Sequence, residues 1–431
     1  MNCFSCRTTR RITTARLALM LVAVLAGCGA PLSASVAQAR YDLTYTLTPL
    51  PHEQSVDVRI DVEQPRRLLR ELSFPSDRVT DIEGDGTVTL HESGRVIWTL
   101  PRDGGSLRWR VHIPHRRNSS GYDAWLDTSF GLFRAEDVIP RARSVTVVGA
   151  ESRTRLHVEP PVGWSVVTQY QRSSRGGYRV RSADRRFVSP SGWILLGDLG
   201  TRRDDIAGVR VAVTAPAGHE ARRVDMLALL NWTLPELVRL VPEPPTRLTI
   251  FSAGDPMWRG GLSAPASIFI HSGRPLISEN GTSTLLHEIM HVVMGVSAED
   301  GHDWLLEGFA EYYSLEILRR SGTLTAARHA QALTDLAEWA ESAETLCGGQ
   351  SSGPQTALAV MTLVALDAEI RERDPENRNI DDLLRDLMAA EERLSLDLLI
   401  ETSSAYIGEK PDALHIDRLP GCRIMSTAWQ D

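Results

Sequence analysis

The spacing of the apolar residues changes once along this 431-residue chain, and that change limits the folds open to it. From Tyr41 to about Ala215 apolar and polar residues alternate. Tyr41–Leu47 and Val56–Val62 do so residue by residue. Shorter runs follow at Thr87–Leu90, Val96–Leu100, Leu107–Ile113, Ser144–Val148, Ser165–Thr168 and Val209–Val213, separated by Gly, Pro, Asp and Ser. A period of two turns one face of a strand inward. Many short strands with frequent turns read as an antiparallel, sandwich-like β-domain over residues 40–215. Next come an expected helix from Arg222 to about Leu230 and strands at Arg247–Phe251 and Ala266–His271. Beyond Ser278 the apolar spacing is helical, with helices expected over Thr282–Met294, Asp303–Arg320, Thr323–Thr345, Gln355–Arg373, Ile380–Met388 and Ser395–Ser404. Gly295 and Gly322 stand where a glycine ends a helix in a left-handed turn. Thr282 is the expected cap of the first of these helices; its place in Asn280-Gly281-Thr282 fits an N-glycosylation pattern only by chance. The fold class is therefore multidomain α+β. Residues 216–431 make a second domain with a small sheet and a helical bundle, as a chain of this length requires more than one domain.

The first 39 residues read differently. Arg7, Arg10, Arg11 and Arg16 precede an apolar run from Leu17 to Ala26, too short to span a bilayer comfortably but laid out as an export signal. Leu25-Ala26-Gly27-Cys28 resembles a bacterial lipobox, which makes Cys28 the expected lipidation site and new N-terminus. Ala37-Gln38-Ala39 is an alternative cleavage site that would release a soluble periplasmic protein. The expected location is the cell envelope, held to a membrane facing the periplasm by a lipid anchor. Cys347 and Cys422 then remain, either as one disulfide or as two buried thiols. The net charge is −8, and −12 once the four N-terminal arginines are removed, which argues against a nucleic-acid partner.

Within the first long helix lies His287-Glu288-Ile289-Met290-His291. Residues four apart stack on one helix face, so two imidazoles at this spacing can reach one Zn²⁺ at about 2.0–2.1 Å each. Glu288 projects beside that point, where it can take a proton from a water that zinc acidifies. The following helix holds Trp304-Leu305-Leu306-Glu307-Gly308-Phe309-Ala310-Glu311-Tyr312-Tyr313. Folded back antiparallel, it would bring Glu307 over the histidines as a third ligand, leaving a fourth position open. Glu311, one turn on, is placed to accept the other ring N–H of His287. Trp304, Tyr312 and Tyr313 read as packing residues.

These two segments resemble the gluzincin clan of metallopeptidases, in particular the glycyl aminopeptidase (M61) family and, more distantly, the M1 aminopeptidases. Leu363–Arg371 and Ile380–Leu387 resemble two helical segments of the M61 family, and Gly260-Gly261-Leu262-Ser263 resembles its edge strand. The similarity covers about residues 245–390. It implies a zinc-dependent peptidase acting on peptide or protein substrates, with His287, His291 and Glu307 as ligands and Glu288 as general base. Two positions depart from the pattern. Ser263 stands where the families place the glutamate that grips a free amino group, and Thr356 where they place the oxyanion-stabilising tyrosine. Tyr406, His271 and His302 are the candidate substitutes. The alternative reading is a catalytically impaired zinc-binding homologue that serves as an envelope binding protein.

Overall fold

The computed structural model describes residues 39–182, 185–374 and 376–423. The signal region and Cys28 lie outside the described residues. Alternation does what a period of two requires. In the strand Arg40–Leu50, Tyr41, Leu43, Tyr45 and Leu47 are buried, and in Ser55–Glu63 so are Val56, Val58, Ile60 and Val62. These two strands pair antiparallel in the middle of a seven-stranded sheet. The first also pairs in parallel with Glu151–Val158. A four-stranded sheet centred on Leu69–Pro75 and Arg95–Thr99 supplies Leu72, Phe74, Val96 and Trp98 to the same core. A five-stranded sheet includes the strands Gly121–Leu126, Phe130–Arg134 and Trp193–Gly197.

The second five-stranded sheet runs, in spatial order, Leu199–Ile206, Val209–Pro216, Arg247–Ala253, Ser267–His271 and Gly261–Ala264. Val209–Pro216 pairs in parallel with Arg247–Ala253. The sheet that carries the site therefore begins before residue 215, where the apolar period changes. The crossover between those two strands is the helix Arg223–Leu240, ten residues longer than its expected end at Leu230. Pro235 lies inside it. The carbonyl that Pro235 leaves unpaired belongs to solvent-exposed Asn231, while Thr233, Leu234, Leu237 and Leu240 keep the buried stripe going. Phe130, Leu132, Trp193 and Leu195 of the β-domain pack with Phe251, Ala253, Met257 and Phe269, so the two halves share one apolar cluster.

Among the described residues six α-helices follow: Thr284–Met294, Asp303–Arg320, Ala326–Ala340, Pro354–Arg373, Ile380–Ala389 and Leu396–Ile407. Gly295 and Gly322 both take positive φ, 61° and 72°. Cys347 and Cys422 form a disulfide that ties the segment before Pro354–Arg373 to the end of the described chain.

Beneath the end of Asp303–Arg320 lies a polar knot. Glu316 meets Arg319 at 2.7 Å, Arg320 at 3.3 Å and His329 at 2.9 Å, and Arg320 reaches Asp381 at 2.7 Å. Burial pushes the Glu316 carboxyl up, but His329 and Arg319 outweigh burial and hold it at about 2, against an ordinary 4.5. A folded value below the unfolded one means that the knot stabilises fully above pH 4.5 and loses that contribution as pH falls toward 2. Wild type should therefore melt above Glu316→Gln at neutral pH, with the gap closing between these two values. A gap that does not change with pH would refute this role.

Candidate metal centre

The helix Thr284–Met294 starts at Ser283, whose hydroxyl accepts from the Leu286 N–H at 3.4 Å. Ser283 thus takes the cap expected of Thr282, which bonds back to Ser278 instead. Leu285, Leu286, Ile289 and Met290 turn into the core. That orientation directs His287 and His291, one turn apart, to the opposite side. Asp303–Arg320 packs against this helix, and close contact at Gly308 seats it on Pro354–Arg373. A Cβ at Gly308 would lie 2.9 Å from the Ala359 Cβ.

The three expected ligand residues converge. His287 Nε2 lies 3.2 Å from Glu307 Oε2 and 3.2 Å from His291 Nε2, and His291 Nε2 lies 3.4 Å from Glu307 Oε1. Donors bound at about 2.0–2.1 Å around a tetrahedral ion stand about 3.3 Å from one another. Each contact is close to that spacing, with Glu307 turning one oxygen toward each histidine, and one donor atom from each residue lies within 4.8 Å of the others, so the three residues fit a zinc ion held on one face. Among the described residues this is the one set of three or more His, Cys, Asp or Glu close enough to hold a metal.

The other ring nitrogen of His287, Nδ1, lies 2.9 Å from Glu311 Oε2, as the sequence spacing led us to expect. This fixes the ring with Nε2 toward the convergence point. Burial pushes the His287 pKa down, but its bonds to Glu307 and Glu311 prevail and raise it well above the ordinary value. Against the upward push of burial, the bonds from His287 and His291 hold Glu307 at about 2. A cation at this point competes with protons, so metal binding weakens as pH falls.

Glu288 is buried, 8% exposed, and lies against the edge strand Gly261–Ala264. A Cβ at Gly261 would sit 2.6 Å from its Cγ. Burial raises its pKa, partly offset by the two histidines and by the backbone N–H of Ser263. A raised carboxyl pKa suits a proton acceptor that must later release its proton.

The ligands and Glu288 line a cleft of about 870 Å³. Ser263 and Thr356 line it too, the latter with its hydroxyl 3.2 Å from that of Ser351. The candidate substitute donors lie elsewhere. The Tyr406 hydroxyl donates to Asp386, and Arg378 stacks over its ring at 3.9 Å. His271 faces Asp255 at 3.5 Å, and His302 stands at the start of the glutamate helix. None of the three borders the metal cleft. Tyr312 and Tyr313 are core residues bonded to Asp367 and Asp381, and Trp304 is buried.

Residues not singled out from the sequence also border the cleft. Arg117 and Asn118 reach it from the strand His115–Asn118, which forms a hairpin with Gly121–Leu126 in the β-domain, and Trp258, Arg274 and Trp339 border it too. The hairpin is fastened by Tyr122 N–H to Pro256 O at 3.1 Å and Trp258 N–H to Tyr122 O at 2.8 Å, and the Arg117 guanidinium lies 4.5 Å from the Trp258 ring centre.

No protein-family model and no curated protein sequence matches the chain. Solved structures do. An aminopeptidase N family protein from Idiomarina loihiensis superposes with a TM-score of 0.68 at 18% identity, over 89% of this chain and 77% of that one. Leukotriene A4 hydrolase from Saccharomyces cerevisiae superposes at 0.54 and 16% identity, over 88% of this chain and 66% of the enzyme. Its complex with bestatin gives 0.54 and 16%, over 90% and 69%. At such identities the likeness is one of fold. The chain shares the multidomain α+β fold of the aminopeptidase N family protein, with a β-rich N-terminal region and a helical C-terminal part.

Proposed function

We propose, from this shared fold and the point on which His287, His291 and Glu307 converge, that the chain is a zinc-dependent peptidase of the bacterial cell envelope. The observation that carries the reading is the ligand triangle with Glu288 beside it at the wall of a cleft. Bound there, zinc supplies Lewis-acid polarisation of a carbonyl and lowers the pKa of a water to about 7. The protein does the rest. His287 is aimed by Glu311, and Glu307 closes the third side of the triangle. Glu288, held between the histidine helix and the edge strand, takes the proton from the attacking water and returns it to the leaving amine. The narrower placement beside the glycyl aminopeptidases rests on Leu363–Arg371 and Ile380–Leu387. We place the mature chain on a membrane through lipidated Cys28, with release after Ala39 as the alternative.

The test is metal content together with hydrolysis of blocked and unblocked peptides, with and without a chelator. One zinc per chain and chelator-sensitive cleavage are expected. One zinc without cleavage of any peptide would favour a second reading, a zinc-binding homologue that binds envelope partners without turnover. One observation supports that alternative: among the described residues bordering the cleft there is no tyrosine, and Thr356 occupies the oxyanion position implied by the resemblance.

Two substitutions probe the supports. Glu311→Ala should weaken zinc affinity by about 10–100-fold, because the His287 ring loses its orienting acceptor; unchanged affinity would remove Glu311 from the site. Gly261→Ala should lower kcat/KM by about 10²-fold by displacing Glu288 on the order of 1 Å, with zinc affinity retained. Full activity in that variant would mean that Glu288 does not act from this position.

A further inference from the structure

The seven-stranded sheet carries a second cleft of about 790 Å³, which shares no lining residue with the metal cleft. Arg153, Arg155, Arg175, Arg179 and Arg181 line it, together with Arg40 and Arg185, and Glu151 is the one acidic residue among its described walls. In a chain of net charge −8 this is a steep local reversal.

The register makes the arrangement costly. Arg155 stands directly opposite Arg179 on the neighbouring antiparallel strand. The flanking pairs, Thr154 with Val180 and Leu156 with Tyr178, are buried on the other face. Alternation therefore sets Arg153 and Arg155 beside Arg179 and Arg181 on the outer face. Like charges directly opposed across strands destabilise the pair. Asp42 meets Arg153 at 2.6 Å, and Glu151 meets Arg40 and Arg185 at 3.5 and 3.9 Å. Among the described residues no carboxylate lies within 4.0 Å of Arg155, Arg175, Arg179 or Arg181. Opposed guanidinium forks of this kind match the oxygens of a phosphate, which would turn the repulsion into shared binding.

The chain itself indicates where such a phosphate comes from. Arg40, at the rim of the cleft, follows Cys28 by twelve positions, a reach of at most about 40 Å. A lipid on Cys28 would hold this face near a bilayer surface. We propose that the cleft binds the phosphate of anionic phospholipid headgroups, so that the β-domain lies against the membrane through Arg155, Arg179 and their neighbours. The choice of lipid as the source of phosphate rests on the anchor at Cys28; the site does not depend on the metal centre.

Titration calorimetry of the full-length chain with dihexanoyl phosphatidylglycerol, dihexanoyl phosphatidylcholine and inorganic phosphate tests this. The phosphatidylglycerol should bind about ten-fold or more tightly than either other ligand, and less tightly as salt rises. Arg155→Gln with Arg179→Gln should weaken that binding about ten-fold or more, while the lipid-free melting midpoint stays level or rises because an opposed charge pair is gone. Should that variant fold poorly, Arg175→Gln with Arg181→Gln, outside the paired residues, should show the same loss. Equal affinity for the two lipids, or unchanged binding in the variants, would overturn the proposal. So would phosphate binding as tight as phosphatidylglycerol.

Discussion

Glu288→Gln is expected to lower kcat/KM by about 10²–10⁴-fold, or about 3–5 kcal/mol of transition-state stabilisation, while one zinc per chain is retained. The separation of the two effects is the point. Glu288 contributes no atom to the ligand triangle, whose edges are set by His287, His291 and Glu307. Glutamine has nearly the same shape, so the tight packing against Gly261 is preserved. What is lost is an acceptor for the proton of the attacking water. Peptide hydrolysis and metal analysis on the same preparations decide the matter. A glutamine variant as active as wild type would remove the general base.

Glu307→Ala should abolish stoichiometric zinc and, with it, hydrolysis. Two histidines four residues apart remain, but the third donor and its charge are gone. The loss should also appear in stability, without any substrate. A ligand at about a thousand times its Kd stabilises the folded chain by about 4 kcal/mol. Wild type should gain a higher melting midpoint on adding zinc, and Glu307→Ala should gain little or none. A variant that still binds one zinc with near wild-type affinity would show that the carboxylate is not a ligand.

The parts of the site legible in the sequence are those fixed by local geometry. The spacing of His287 and His291 is a property of one helix face, and Glu307 and Glu311 occupy successive turns of the next. A short connection makes the two helices antiparallel neighbours, so four residues could be placed before any tertiary contact was known. Arg117, Asn118 and Trp258 were not legible, because the Tyr122 and Trp258 backbone bonds bring their distant segments together at the cleft, and Trp339 comes from yet another segment, the helix Ala326–Ala340. Tyr406 fails as a site residue for the same reason: its hydroxyl belongs to Asp386, a partner that no periodicity reveals. The alternating segments gave the β-rich half its strands. Alternation could not show that Val209–Pro216 joins the sheet beneath the site, since strand order is a non-local property. The helix across Pro235 shows buried packing overriding a local breaker.

Diffraction from crystals grown with zinc, recorded above and below the zinc absorption edge, addresses the metal centre directly. A single anomalous peak about 2.0–2.1 Å from His287 Nε2, His291 Nε2 and a Glu307 carboxylate oxygen is the expected result. No peak among these three side chains at saturating zinc, or a peak at other residues only, would mean that this chain has no such centre.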